Sequence, residues 1–219
     1  MSLSTSPQLI KGGLVVLAPD GATPRRLIAL QYNPETLSRS YQVQGTGGEG
    51  GGERGMPFRL KGPAIESIKL DAEIDATDQL EFPDRHPATV RHGIAPQLAA
   101  LEALVNPSAA QLMDIDAQAA GGTLEIIPAE APLTLFIWSA NRVAPVRVTE
   151  LSITEEAFDA RLNPTRAKVS LGLRVLSTDD LGYAHRGASI FLTHLRTREA
   201  LAAQGGTATL QALGIDSLP

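Results

Sequence analysis

Along residues 166–175 apolar and polar positions alternate without a break. Ala167, Val169, Leu171, Leu173 and Val175 share one face, and Arg166, Lys168, Ser170, Gly172 and Arg174 the other. This is the pattern of a strand with one face on a core and three cations on the opposite face. Upstream, Val146 and Val148 hold one parity but Leu151 and Ile153 the other, a change of phase that predicts a β-bulge near Thr149 and Glu150. Residues 143–176 therefore read as two antiparallel strands joined by a connection that Asn163 and Pro164 punctuate. A ribbon of that length requires a larger curved sheet around it, because two strands alone are marginal in water.

The rest of the chain supplies such a sheet. Residues 9–18 (LIKGGLVVLA) predict a strand closed by the turn Pro19-Asp20-Gly21, with residues 25–32 as its hairpin partner. Asn33-Pro34-Glu35 ends that partner, since a residue before proline is pushed out of the helical region. Residues 37–44 resume an extended pattern, so the three strands are expected to form a meander. Residues 63–76 alternate again, with Ile68, Leu70, Ala72 and Ile74 inward and Ser67, Lys69, Asp71 and Glu73 outward. Two prolines and mixed charge make residues 77–92 an irregular crossing. Ile94, Leu98, Leu101 and Val105 form a helical stripe over residues 94–105, with Pro96 tolerated in the first turn and Asn106-Pro107 as the stop.

Residues 108–131 are rich in Ala, Gly and Pro with little periodicity and read as a connector. Residues 133–139 (LTLFIWS) are apolar on both parities, which predicts a strand buried on both faces, against a helix on one side or a subunit on the other. Residues 188–204 predict a helix with Ile190, Phe191, Leu195 and Leu201 as its apolar set, and residues 205–219 are weakly patterned.

Composition narrows the function. The 219 residues, 43% hydrophobic, suffice for one sizeable domain and exclude disorder throughout. A net charge of −5 and 4% aromatics argue against nucleic-acid binding, which favours a basic surface and rings for base stacking. The absence of cysteine excludes disulfides and thiolate chemistry and suits a reducing compartment. The first thirteen residues carry neither a basic start nor a continuous apolar run, so no secretion signal is expected, and no stretch approaches the ~20 apolar residues of a membrane span. Residues 45–55 hold seven glycines in eleven positions. Ordering such a loop costs on the order of 10 kcal/mol, so a neighbouring subunit or another protein is expected to hold it, with Gly47, Gly50, Glu53 and Arg54 as contacts.

Little in the chain points to chemistry. His86 and His92 lie six apart, and neither they nor His185 and His194 match the spacing of a helical zinc pair with an acidic partner, so no metal and no cofactor is expected. Ser139 and Ser189 lack a nucleophile-elbow setting, and no G-K-[ST] follows the glycine loop to make a phosphate cradle. Glu155, Glu156 and Asp159 cluster around Phe158, but with Arg161 and Arg166 nearby they read as a solvated turn or one side of a charged interface rather than as an acid–base pair. Trp138 reads as a core or corner residue. No catalytic residue is expected. The histidine-bearing stretch 84–92 is the one place where an enzymatic or carbohydrate-binding role would sit.

Taken in order, LQYNPETLSRSYQ (30–42), the strand ending Asp75-Ala76-Thr77, APQLAALEALVNP (95–107) and LFIWSANRVAPVRVTELSITEEAFDARLNPTRAKVSLGLRVL (135–176) resemble the tube-protein domain of contractile injection systems, the phage-tail-like particles. The Y-N-P-x-[TS]-L element maps to residues 32–37, and the EEAFD…LNP-x-RA element to residues 155–167. The resemblance spans residues 8–203. It implies a mainly β, barrel-like tube fold: two sheets wrapped into a barrel with one packed helix, plus a C-terminal helix. The implied division is a tube-like β-barrel domain over 1–180, with the glycine-rich loop 45–55 and the helix 94–105, and a C-terminal helical extension over 181–219.

The implied role is that of a tube initiator or baseplate adaptor, a homo-hexameric ring joining the inner tube to the hub and spike; a main inner-tube subunit is the alternative. Its implied partners are the tube protein, the spike or hub protein and baseplate wedge proteins, with no nucleic acid and no membrane insertion. Assembly would take place in the bacterial cytoplasm, with an extracellular location after release. Adaptor members carry a C-terminal LysM module, and residues 205–219 are too short for one, so peptidoglycan binding is not carried over. Beside the glycine-loop residues, the expected interface set is Glu155, Glu156, Asp159 and Arg161 with the cations Arg166, Lys168 and Arg174.

Overall fold

A computed structural model of the chain describes residues 10–46, 59–121, 131–205 and 210–217. It is mainly β. Nine strands run β1 (Gly13–Leu17), β2 (Pro24–Ala29), β3 (Leu37–Gln42), β4 (Gly45–Thr46), β5 (Arg59–Leu60), β6 (Ile65–Asp75), β7 (Thr134–Ser139), β8 (Arg142–Phe158) and β9 (Pro164–Val175). Seven of them form one antiparallel sheet in the order β2-β1-β7-β8-β9-β6-β3, and β4 pairs with β5 in a separate ribbon. The helices are α1 (Thr77–Leu80), α2 (Pro87–His92), α3 (Ala95–Glu102), α4 (Ala109–Ala120) and α5 (Arg186–Gln204).

The long hairpin β8–β9 forms the middle of the sheet. Its register runs Val148 to Leu173, then Glu150 to Gly172 and Leu151 to Leu171, so Thr149 is the extra residue of a bulge where the hydrophobic phase changes. Gly172 stands opposite. A Cβ there would lie 2.9 Å from the Glu150 Cβ, which is why the alternation of β9 carries a glycine at this point. A second shift leaves Glu156 unpaired between Glu155 and Ala157.

All seven strands of the main sheet meet in one core. Leu14, Phe136, Ala144, Val146, Val169, Leu171, Leu173, Ile68 and Leu70 pack together, with Ile28 and Leu37 from the two edge strands against them. A sheet whose edges share a core is curled, which is the barrel-like shape; the wrapped layer is a single seven-stranded sheet. Ile94, Leu98 and Leu101 enter this core from α3, and Phe191 enters from α5. Val105, predicted to continue the α3 stripe, lies beyond the helix end and is exposed. On the opposite face Val15, Leu17 and Leu135 form a second cluster against Ile190 of α5. The strand β7, apolar on both parities, is thus buried on both sides, one of them by a helix.

Three expectations are corrected. The first three strands do not form a meander: β1 pairs with β2, but β3 pairs with β6 from Leu37 opposite Leu70 to Gln42 opposite Ile65, at the far edge of the sheet. The turn at Asn33-Pro34 leads the chain away from β2, and Asn33 itself holds β1 by accepting from the Gly12 amide at 2.9 Å and donating to the Ile10 carbonyl at 2.8 Å. The crossing 77–92 is built of α1, a 3-10 turn at Pro83–Arg85 and α2, and the prolines that suggested irregularity stand in the first turns of two of these helices. Residues 109–120 of the expected connector are helical. Ser108 and Gln111 form a reciprocal capping box, alanine supplies propensity, and the helix buries no residue.

Candidate assembly surfaces and a charged mouth

Of the expected interface residues, Gly47, Gly50, Glu53 and Arg54 lie outside the described residues. The others fall into three local arrangements. The bulged Glu156 reaches across to β9, with one carboxylate oxygen 2.7 Å from the Lys168 Nζ and the other 3.5 Å from the Arg166 Nε. The hydrogen bond and negative charge of Glu156 hold the Lys168 pKa above its ordinary value. Glu155 is exposed beside this pair. The cations of β9 therefore pair first within their own subunit, and solvent screening leaves exposed pairs of this kind with little effect on stability.

Asp159 organises the tip of the hairpin. It accepts from the Arg161 amide at 2.7 Å, the Asn163 amide at 2.9 Å and the Asn163 Nδ2 at 2.8 Å, and the Asn163 bonds above all hold its carboxyl below the usual carboxylate range. The cage fixes Leu162 at φ 65°, and its side chain is 80% exposed. Arg174 is turned to the third arrangement. Its Nη2 donates to Asp180 at 2.6 Å, while Asp180 accepts from the Ser177 amide at 3.0 Å, so this cation locks the loop before α5.

Sequence reasoning missed a fourth arrangement. Glu66 stands on the inward parity of β6, ahead of Ile68 and Leu70, and is only 5% exposed. Its β3 neighbours on the same face are Tyr41, directly opposite, and Arg39. The Tyr41 hydroxyl donates to one Glu66 oxygen at 2.7 Å and accepts from Arg39 and Arg198 at 3.1 Å each, and the Arg198 Nη1 donates to the other Glu66 oxygen at 2.8 Å. Arg198 also lies over the Tyr41 ring, 5.1 Å from its centre. Burial, then the bond to Glu66, pushes the Tyr41 pKa up, so the phenol stays protonated. The signal was present in the sequence: a carboxylate, an arginine and a tyrosine occupy positions whose parity belongs to the core.

Two of the histidines and Trp138 have structural places. The His185 Nδ1 accepts from the Gly187 amide at 3.0 Å and caps α5, whereas His194 is buried and burial lowers its pKa. Trp138 stacks on Phe136 at 5.9 Å between centroids, and a Cβ on Gly12 would meet its ring at 2.6 Å. Among the described residues no helix is long and apolar enough to cross a membrane.

No family model matches the chain, and no curated protein matches it. Among solved structures it is similar to a chain described as the tail of an empty GTA particle computed with helical refinement in C6 symmetry, at 12% identity and a TM-score of 0.29, over 75% of this chain and 90% of that one.

Proposed function

We propose that the chain is a structural subunit of a phage-tail-like contractile injection particle, forming a hexameric ring that joins the inner tube to the baseplate hub and spike, and that it performs no catalysis. The observation that carries this reading is the place of the resembling blocks in the fold. Residues 30–42 hold Gln31, Asn33 and β3; residues 95–107 hold α3; residues 135–176 hold β7, β8 and β9. Side chains from all three meet in one core cluster. The resemblance thus falls on the residues that build the curled sheet rather than on scattered surface stretches.

The same fold offers surfaces for ring contacts. Among the described residues β2 and β3 each pair on one side only, and an unpaired strand edge readily accepts another chain. A stable contact between copies would bury on the order of 1,600 Å². Counting the chain by quantitative mass spectrometry in purified particles tests the assignment. An adaptor ring gives about six copies whatever the particle length. A copy number that grows with length identifies a main tube subunit instead, and absence from particles overturns both.

A further inference from the structure

Among the described residues the mouth of the curled sheet carries three cations to one anion. Arg39 on β3 and Arg198 on α5 pair with Glu66, and Arg142 at the start of β8 lies within electrostatic reach of all three. Glu66 is engaged by Arg198 at 2.8 Å and by Arg39 at 3.9 Å. Arg142 is left over: it is half-buried, and its guanidinium makes no hydrogen bond or ion pair among the described residues. Each guanidinium offers five N–H donors in a planar fork suited to an oxyanion.

Electrostatics agree with this count. Burial, and then the nearby Arg39, lower the Arg142 pKa, and Glu66 acts in the opposite direction. His194, one helical turn before Arg198, is 6% exposed, and its Nδ1 is buried without a hydrogen-bond partner. Burial disfavours the charged imidazole, so it adds no further positive charge. The side chains of Arg39 and Arg198 are 34% and 37% exposed, so the cluster opens to solvent on one side.

We propose that this mouth is a binding site for an oxyanion of the carboxylate or phosphate type, held against Arg142 with Arg39 and Arg198 supplying charge. The site goes beyond the proposed ring and does not depend on it. The anion has two sources, a free small molecule or an acidic side chain of a second copy of this chain.

Citrate and inorganic phosphate serve as probes in calorimetric titrations of the full chain at constant ionic strength set with sodium chloride. Saturable binding is expected, weakened about tenfold by Arg142→Gln, with a smaller loss in Arg142→Lys, which keeps the charge without the fork. Arg39→Gln serves as a second variant should circular dichroism show Arg142→Gln unfolded. Sedimentation distinguishes the sources. Binding without a change in mass assigns a free anion; self-association that citrate reverses and Arg142→Gln abolishes assigns a carboxylate of a second copy. Absence of binding together with identical sedimentation of wild type and variants overturns the proposal, as does binding that none of the substitutions weakens.

Discussion

Gln31 holds Asp75 by both of its backbone groups: its Nε2 donates to the Asp75 carbonyl at 2.6 Å, and its Oε1 accepts from the Asp75 amide at 2.8 Å. Gln31 follows β2 at one edge of the sheet, and Asp75 ends β6, one strand in from the other edge. A side-chain amide thus makes the pair of bonds that a neighbouring strand would have made. Gln31→Ala is expected to lower stability by about 2 kcal/mol, since two part-buried backbone groups lose their partners. Urea unfolding measures it, and a change within error would show that the curl does not depend on this bridge.

Gly93 ends α2 at φ 57° and ψ −135°, and a Cβ there would lie 2.0 Å from the Pro164 carbonyl oxygen, the group that accepts from the Ile94 amide. Gly93→Ala is therefore expected to cost about 3 kcal/mol or more and to loosen α3 from the hairpin tip. Hydrogen exchange at Ile94 and Leu98 reads the loosening directly.

At the hairpin tip the strained residue is a leucine. Leu162→Gly relieves its positive φ and is expected to stabilise the isolated chain by up to about 1 kcal/mol, after the entropic cost of glycine. On the proposed ring reading the same substitution weakens assembly, because the exposed side chain is lost. Chemical denaturation and sedimentation separate the two effects.

Reversing charges on β9 should give different results at two sites on one face. Lys168→Glu removes a solvent-exposed pair with Glu156 and should leave the chain folded, so any loss belongs to assembly. Arg174→Glu puts a second carboxylate against Asp180 and unties the loop before α5. Its melting temperature is expected to fall by several degrees, read by calorimetry.

His194 makes stability depend on pH. Its folded pKa lies below the ordinary 6.5 because burial disfavours the charged imidazole; Arg198, Arg142 and Arg39 act in the same direction and Glu66 against it. Below about pH 6.5 the unfolded chain binds the proton more readily than the folded one, so stability falls as pH drops through that value. His194→Gln should flatten this slope in denaturant midpoints taken between about pH 5 and 7.5.

Where a strand buries one face, its sequence shows it. The alternation of β6 and β9, the bulge at Thr149 and the two-sided burial of β7 all follow from side-chain parity, because parity is what a curled sheet selects. Pairing partners are another matter. Leu37 fits any strand with an inward apolar neighbour, and what carried β3 to β6 was the use of Asn33 and Gln31 as backbone ligands, which leaves no periodic trace. The helix α4 rests on alanine propensity and the Ser108–Gln111 capping box rather than on a buried face. The charged mouth needed β3, β6, β8 and α5 in place before Arg39, Glu66, Arg142 and Arg198 became neighbours.

The ribbon of Gly45–Thr46 with Arg59–Leu60 has a practical consequence for engineering. Its pairing, with Gln44 donating to the Pro63 carbonyl at 3.0 Å, holds Thr46 and Arg59 about one strand spacing apart, ~5 Å. Lengthening a segment whose ends are already joined costs only about 0.6 kcal/mol per doubling. An epitope or a fluorescent tag inserted between Thr46 and Arg59 is expected to leave the register of β3 against β6 untouched.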